Sequence, residues 1–117
     1  MTHVEIAKAL FDAFTTGDDD AARALCAPDV QAIQNHQPPI TLTQLLQFAA
    51  AVRGVATDYH YAEVVCTETP SGFVEEHSVR GTLPNGEQFR LPACVVGEVR
   101  DGLITQLQRR LHTLAAE

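Results

Sequence analysis

Apolar residues in the first part of the chain recur at the three-and-four spacing of amphipathic helices. One such pattern covers residues 4–16, and Gly17 is a residue that commonly ends a helix. Asp18 or Asp19 can then cap a second, short helix, which has to stop before Pro28. The acidic run that starts there is therefore interpreted as a helix cap and not as a metal site.

The middle of the chain predicts one strand, one helix and a second strand. Residues 30–33 form a short apolar strand, followed by a loop that contains two prolines. Thr41 and Gln44 have the spacing of a capping box, which opens a third helix that ends near Gly54. Valine, threonine and tyrosine dominate residues 59–69, which favours a strand.

Residues 72–112 predict three further strands that fold back on each other. The pairs Asn85-Gly86 and Asp101-Gly102 supply the positive φ angles that the tips of tight hairpins require. The predicted order is helix, helix, strand, helix and four strands. This order indicates an α+β fold in which helices pack on a mainly antiparallel sheet.

The element order and two local phrases resemble the SnoaL-like branch of the NTF2-like superfamily. Gly17-Asp18 stands at the start of the second helix, and Pro28-Asp29 leads into the first strand, as is usual in that superfamily. The resemblance implies a cone of three N-terminal helices on a curved sheet, with a small apolar molecule bound between them. It also implies similarity to polyketide cyclases and ketosteroid isomerases, and a homodimer formed through the sheet.

Composition limits the class of partner and the number of domains. The 117 residues are 45% apolar, which fits a single domain over residues 1–117. Eight basic and fifteen acidic side chains give a net charge of −7, which disfavours binding to nucleic acid or to an anionic membrane surface. Without a leader-like or membrane-spanning apolar segment, we expect a cytoplasmic protein. Cys26, Cys66 and Cys94 follow no metal or disulfide spacing and are expected to be reduced thiols.

Alternation along the strand at residues 73–80 suggests where chemistry can occur. Phe73, Glu75, His77 and Val79 share one face, which is the more apolar one and the expected inner face. A carboxylate and an imidazole two residues apart on a buried face can carry out general acid/base catalysis. The alternative is that this face is the outer one, with both groups in solvent or at an interface.

Two further side chains complete the catalytic hypothesis. Arg109 shares a face of the last strand with Leu107 and can pair with Glu75 or bind an anionic ligand group, unless a bulge exchanges the faces. His36, beside Asn35 in the loop before the third helix, lies where isomerases of the resembling superfamily carry their base. An imidazole titrates near neutral pH and can take up such a proton.

The remaining expectations concern the ligand. Aromatic side chains, together with Asn35 and His112, are expected to line its pocket: Phe11, Phe14, Phe48, Phe73 and Phe89. No metal or other cofactor is expected, since no ligand-spacing motif is present. Three functions stay open: a cofactor-independent isomerase, cyclase or hydrolase that uses His36, Glu75 or His77; a ligand carrier or sensor; and an interaction module that acts through its sheet.

Overall fold

The computed structural model describes residues 1–111, with the side chain of the last of these excepted. Its helices are α1 (His3–Thr16), α2 (Asp19–Ala24) and α3 (Leu42–Val55). Each begins at a side-chain cap, from Thr2, Asp18 and Thr41 respectively. The predicted capping box of Thr41 and Gln44 is confirmed, and so is the left-handed Gly17 that ends α1.

Six strands form one curved sheet. They are β1 (Cys26–Gln34), β2 (Ile40–Thr41), β3 (Thr57–Thr69), β4 (Gly72–Thr82), β5 (Gln88–Arg100) and β6 (Leu103–Leu111). Their order across the sheet is β2-β1-β6-β5-β4-β3. All neighbours are antiparallel except β1 and β6, which run parallel. The predicted α+β cone, with helices packed on a mainly antiparallel sheet, is confirmed.

Local differences from the prediction have simple causes. The first strand begins at Cys26, much earlier than predicted, because α2 ends at Ala24 and the chain extends at once to pair with β6. The two-residue β2 was not predicted, since a strand this short carries no periodicity. The hairpin at Asp101-Gly102 is confirmed, with φ of 52° and 78°. Between β4 and β5 only Gly86 has positive φ, and the connection is a longer loop.

Irregular pairing bends the sheet at two strands that matter for the site. In β3 the register shifts between Ala62 and Val65, where Glu63 has a φ of 56°. In β6 it shifts between Ile104 and Gln106, so that Thr105 is the extra residue. A bulge turns the following side chains to the other face of the strand. Both Ile104 and Leu107 are therefore buried, although strict alternation would place them on opposite faces.

The core fills the space between the three helices and the inner face of the sheet. α1 contributes the largest share of buried side chains, and Phe73, Val95 and Ile104 meet them from the sheet. Among residues 1–111, no helix has the length and apolar character needed to cross a membrane.

Candidate active site

A buried carboxylate and a buried imidazole form a hydrogen-bonded pair on the inner face of β4. Glu75 is 1% exposed and His77 is 5% exposed, which confirms that this face is the inner one. The Nδ1 atom of His77 is hydrogen-bonded to Oε1 of Glu75. With the carboxylate ionised and the imidazole neutral, Nδ1 donates the proton of this hydrogen bond and Nε2 is the nitrogen that can accept a proton.

Aromatic rings enclose the imidazole. The Tyr61 ring stacks on the His77 ring, with centroids 3.9 Å apart and planes inclined by 9°. Phe11 of α1 contacts both rings, at centroid distances of 5.7 Å to His77 and 5.8 Å to Tyr61. Burial, and secondarily the neighbouring Tyr59, raises the pKa of Tyr61 well above its ordinary value, so its hydroxyl stays protonated and hydrogen-bonds to Tyr59 at 3.2 Å. Packing and the Glu75 hydrogen bond together fix the orientation of the imidazole.

A small inner cavity, with a volume of about 20 Å³, lies in front of His77. Its wall is mostly apolar, with four polar side chains among the residues that line it: Phe11, Phe14, Ala32, Gln34, Leu45, Tyr61, His77, Val95, Leu107 and Arg109. Three buried atoms on these side chains have no hydrogen-bond partner within the described part of the chain: His77 Nε2, Gln34 Nε2 and Arg109 Nε. Buried polar atoms are usually hydrogen-bonded, so unpartnered ones at one cavity mark a site for a polar ligand atom or a water.

A larger apolar groove adjoins the inner cavity. This α3 groove has a volume of about 440 Å³ and runs between α3 and the ends of β3, β4 and β5; it is lined by Phe48, Ala51, Val52, Val55, Ala56, Tyr59, Val79, Leu83, Phe89, Leu91 and Arg109. Arg109 lines both spaces, and the hydroxyl of Tyr59 is bonded to that of Tyr61 at their boundary. A ligand in the groove can thus present one end to the inner cavity.

The structure brings some of the predicted site residues together. His77, Arg109, Phe11 and Phe14 line the inner cavity, and Glu75 is hydrogen-bonded to His77 behind it. Two more of the predicted phenylalanines, Phe48 and Phe89, line the α3 groove.

Other predicted residues lie elsewhere. His36 and Asn35 are exposed in a tight turn, with φ of 62° and 49°, and neither lines the inner cavity or the α3 groove. Phe73 is fully buried against Phe11 and lies outside the lining of both spaces, because its ring covers Gly97 in the core. His112 lies outside the described residues.

The predicted pairing of Arg109 with Glu75 is not present. Glu75 is bonded to His77, and no ion pair joins it to Arg109 in residues 1–111. The Arg109 side chain is half-buried as a whole and lines both the α3 groove and the inner cavity.

Tyr61 and Gln34 are site residues that the sequence reasoning missed. A signal for Tyr61 was available, since Tyr59 and Tyr61 are two residues apart and thus share a strand face. The bulge at Glu63 hides which face that is. Gln34 gave no signal, because it reads as the start of the proline-containing loop and not as the last residue of β1.

The cysteines and acidic groups offer little further chemistry. All three thiols are free, and burial raises the pKa of each, that of Cys26 to about 11. A thiol held protonated is a poor nucleophile. Within residues 1–111, no group of three or more His, Cys, Asp or Glu side chains is arranged to hold a metal ion.

Comparison with solved structures finds the same cone. A proposed polyketide cyclase from Xanthomonas campestris pv. campestris is 25% identical, with 97% of this chain and 92% of that chain covered and a TM-score of 0.81. IdmH, a proposed polyketide cyclase from Streptomyces antibioticus, is 22% identical over 95% and 92% of the two chains, with a TM-score of 0.83. An LEH-like epoxide hydrolase of M. tuberculosis is 15% identical over 94% and 82%, with a TM-score of 0.75.

Sequence comparisons place the chain in a family. A search of curated protein sequences gives no significant match. The model of the SnoaL-like domain matches residues 7–107, which is most of the chain and includes Glu75 and His77, whereas Arg109 lies beyond the match. The protein therefore belongs to the SnoaL-like family.

Proposed function

We propose that this protein binds a small, largely apolar molecule in the α3 groove. One end of the molecule enters the inner cavity, where the protein transfers a proton to or from it. The reaction would be an isomerisation or cyclisation that needs no cofactor. The observation that carries the proposal is His77 Nε2, a buried nitrogen without a hydrogen-bond partner among residues 1–111, on a side chain that lines the inner cavity while Glu75 holds Nδ1.

The side chains divide into three roles. His77 takes up or returns the proton as the catalytic acid/base, since Nε2 is the group that touches the ligand. Glu75 is a positioning residue, because it acts on the ligand only through the ring it orients. Arg109 can compensate the negative charge that appears on an oxygen next to the carbon that loses a proton.

The dimensions of the two spaces indicate how a ligand is placed. The inner cavity has room for about one water-sized group, so it accepts a carbonyl oxygen or a similar terminus but not a ring. The α3 groove is within the size range of small-molecule sites, and its surface is almost entirely apolar. Relatives named as polyketide cyclases and as an epoxide hydrolase also favour a small organic substrate.

Exchange of carbon-bound hydrogen tests the proposal without knowledge of the product. A panel of polycyclic ketones, lactones and fatty acids is first screened for binding, and bound members are then incubated with the protein in D₂O. We expect one class to gain deuterium next to its carbonyl group. His77→Gln should lower that rate by about 10²- to 10⁴-fold while the Kd stays similar, since general acid/base catalysis contributes that much.

The exposed His36, which lines neither the inner cavity nor the grooves around it, is the matched control, and His36→Gln should exchange at the normal rate. Glu75→Gln should lower kcat but not KM, and Glu75→Asp should recover part of the loss; a purely structural role would not produce that split. Ligand binding with no exchange in the natural protein would contradict catalysis and favour the second reading, a carrier or sensor that holds the ligand unchanged.

We also propose that the outer face of the sheet joins two copies of the chain. Val65 and Val96 lie there, 60% and 45% exposed. Val74 of β4 lies opposite Val96, and Val65 lies opposite Glu76, two residues further along β4. Val96→Glu should convert a dimer to a monomer in sedimentation equilibrium, because a charge would have to be buried in the interface. Ala50→Glu, on the exposed side of α3, is the control. A natural protein that sediments as a monomer would disprove the interface.

A further inference from the structure

A second groove reaches the acid–base pair from the side of α1. It has a volume of about 340 Å³ and lies between α1 and β3. Its walls carry Lys8, Asp12 and Thr15 from α1 and His60, Val64 and Cys66 from β3, and Glu75 of β4 also lines it. The groove follows the part of β3 that contains the bulge at Glu63. We call this space the α1 groove.

Glu75 and His77 line different spaces. Among the cavities described, His77 lines the inner cavity and Glu75 lines the α1 groove. Oε1 of Glu75 is bonded to His77, whereas Oε2 is buried and has no partner within residues 1–111. An unsatisfied buried carboxylate oxygen is costly, so a hydrogen-bond donor is expected at Oε2. The pair thus connects two spaces, with an unpartnered polar atom at each end.

From this arrangement we infer that the α1 groove is a water-binding site and a solvent route to the acid–base pair, separate from the route by which the ligand enters. Water is the donor that fits, since the groove walls carry both Lys8 and Asp12 and therefore favour neither sign of charge. This inference deepens the proposed function, because it explains how a proton reaches or leaves His77 while a ligand fills the inner cavity.

The proton balance of the route is closed. When Nε2 takes a proton from the ligand, the imidazole carries protons on both nitrogens. The Nδ1 proton moves to Oε1, which gives a neutral ring and a neutral carboxyl group. Rotation of that group about Cγ–Cδ presents the O–H to the α1 groove, where water accepts the proton and the carboxylate is restored. One proton has entered at Nε2 and one has left to water, and the ring now carries its single proton on Nε2. When Nε2 gives that proton to the product, Glu75 takes a proton from water in the α1 groove and returns it to Nδ1, which restores the starting tautomer and the carboxylate.

Hydrogen exchange of the imidazole measures this route in the ligand-free protein. The protein is labelled with ¹⁵N-histidine, and transfer of saturation from water to the Nδ1 proton of His77 gives the exchange rate. Val64→Trp fills the α1 groove from a position that is 47% exposed and should slow exchange by about tenfold or more, a change of about 1.4 kcal/mol in the barrier. Thr15→Met narrows the opposite wall and should act in the same direction.

Two controls separate this route from others. Ala50→Trp adds bulk on the exposed side of α3, away from both grooves, and should leave the rate unchanged. Phe48→Trp adds bulk in the α3 groove and should also leave it unchanged. If Phe48→Trp slows exchange and neither α1-groove variant does, the inference is wrong. That result would leave the catalytic proposal intact, because the measurement needs no substrate and no turnover.

Discussion

Glu75→Leu is expected to lower the free energy of unfolding by about 3–5 kcal/mol, the usual cost of removing one member of a buried polar or charged pair. Glu75 and His77 are both almost fully buried and are bonded to each other. Without the carboxylate, Nδ1 of His77 loses its acceptor inside a shell formed by Phe11 and Tyr61. Urea unfolding followed by circular dichroism measures the loss.

The double variant Glu75→Leu/His77→Leu should recover this stability completely or exceed that of the natural protein, since apolar replacement of a buried pair is often neutral or stabilising by about 1–4 kcal/mol. It should also have no proton-transfer activity. Such an outcome would mean that the pair is kept for chemistry at a cost in stability. A double variant that is less stable than Glu75→Leu would instead show that the pair holds the fold together.

Gly97→Ala is the second substitution with a large expected effect. Gly97 lies opposite Phe73 in the β4–β5 pairing, and a Cβ atom added there would overlap the Phe73 ring. That ring is fully buried and has no free space to move into. Overpacking of this kind costs about 1–3 kcal/mol and occasionally more, which thermal or urea unfolding will detect.

A smaller partner should relieve the overlap. Phe73→Leu alone creates a cavity, but Gly97→Ala/Phe73→Leu should be less destabilised than the sum of the two single variants, because the added methyl group then fills space that the ring has left. Gly54→Ala is the control. Nothing lies within 4 Å of a Cβ at Gly54, and this helical position should gain about 0.5–1 kcal/mol. Strict additivity of the two core substitutions would contradict the assigned contact.

Local signals in the sequence predicted most of the fold, because the caps and turns act over a few residues. The capping box at Thr41, the glycine end of α1 at Gly17 and the hairpin at Asp101-Gly102 each depend on three or four neighbouring residues. Alternation in β4 likewise identified the face that carries Glu75 and His77, since that strand pairs with β5 without a bulge.

The parts of the site that were missed depend on long-range packing. The bulges in β3 and β6 turn the following side chains to the other face of each strand, and no local sequence pattern predicts a bulge. The stacking of Tyr61 on His77 and the burial of Ile104 could therefore not be derived from the sequence. His36 looked promising by its place in the chain, whereas its exposure follows from a tight turn that only the structure reveals. Position along a loop says little about which way a side chain points.

The position of β6 in the sheet also has a consequence for how the protein folds during synthesis. β6 is the last described strand in the chain, yet it lies between β1 and β5 in the sheet and supplies Ile104 and Leu107 to the core. During synthesis, β1 emerges long before the strand it must pair with. The N-terminal helices can pack on β3 and β4 as these strands are made, but β1 has no partner on its β6 side until the last described strand is complete. Slow, late completion of the sheet is the expected result of such distant pairing.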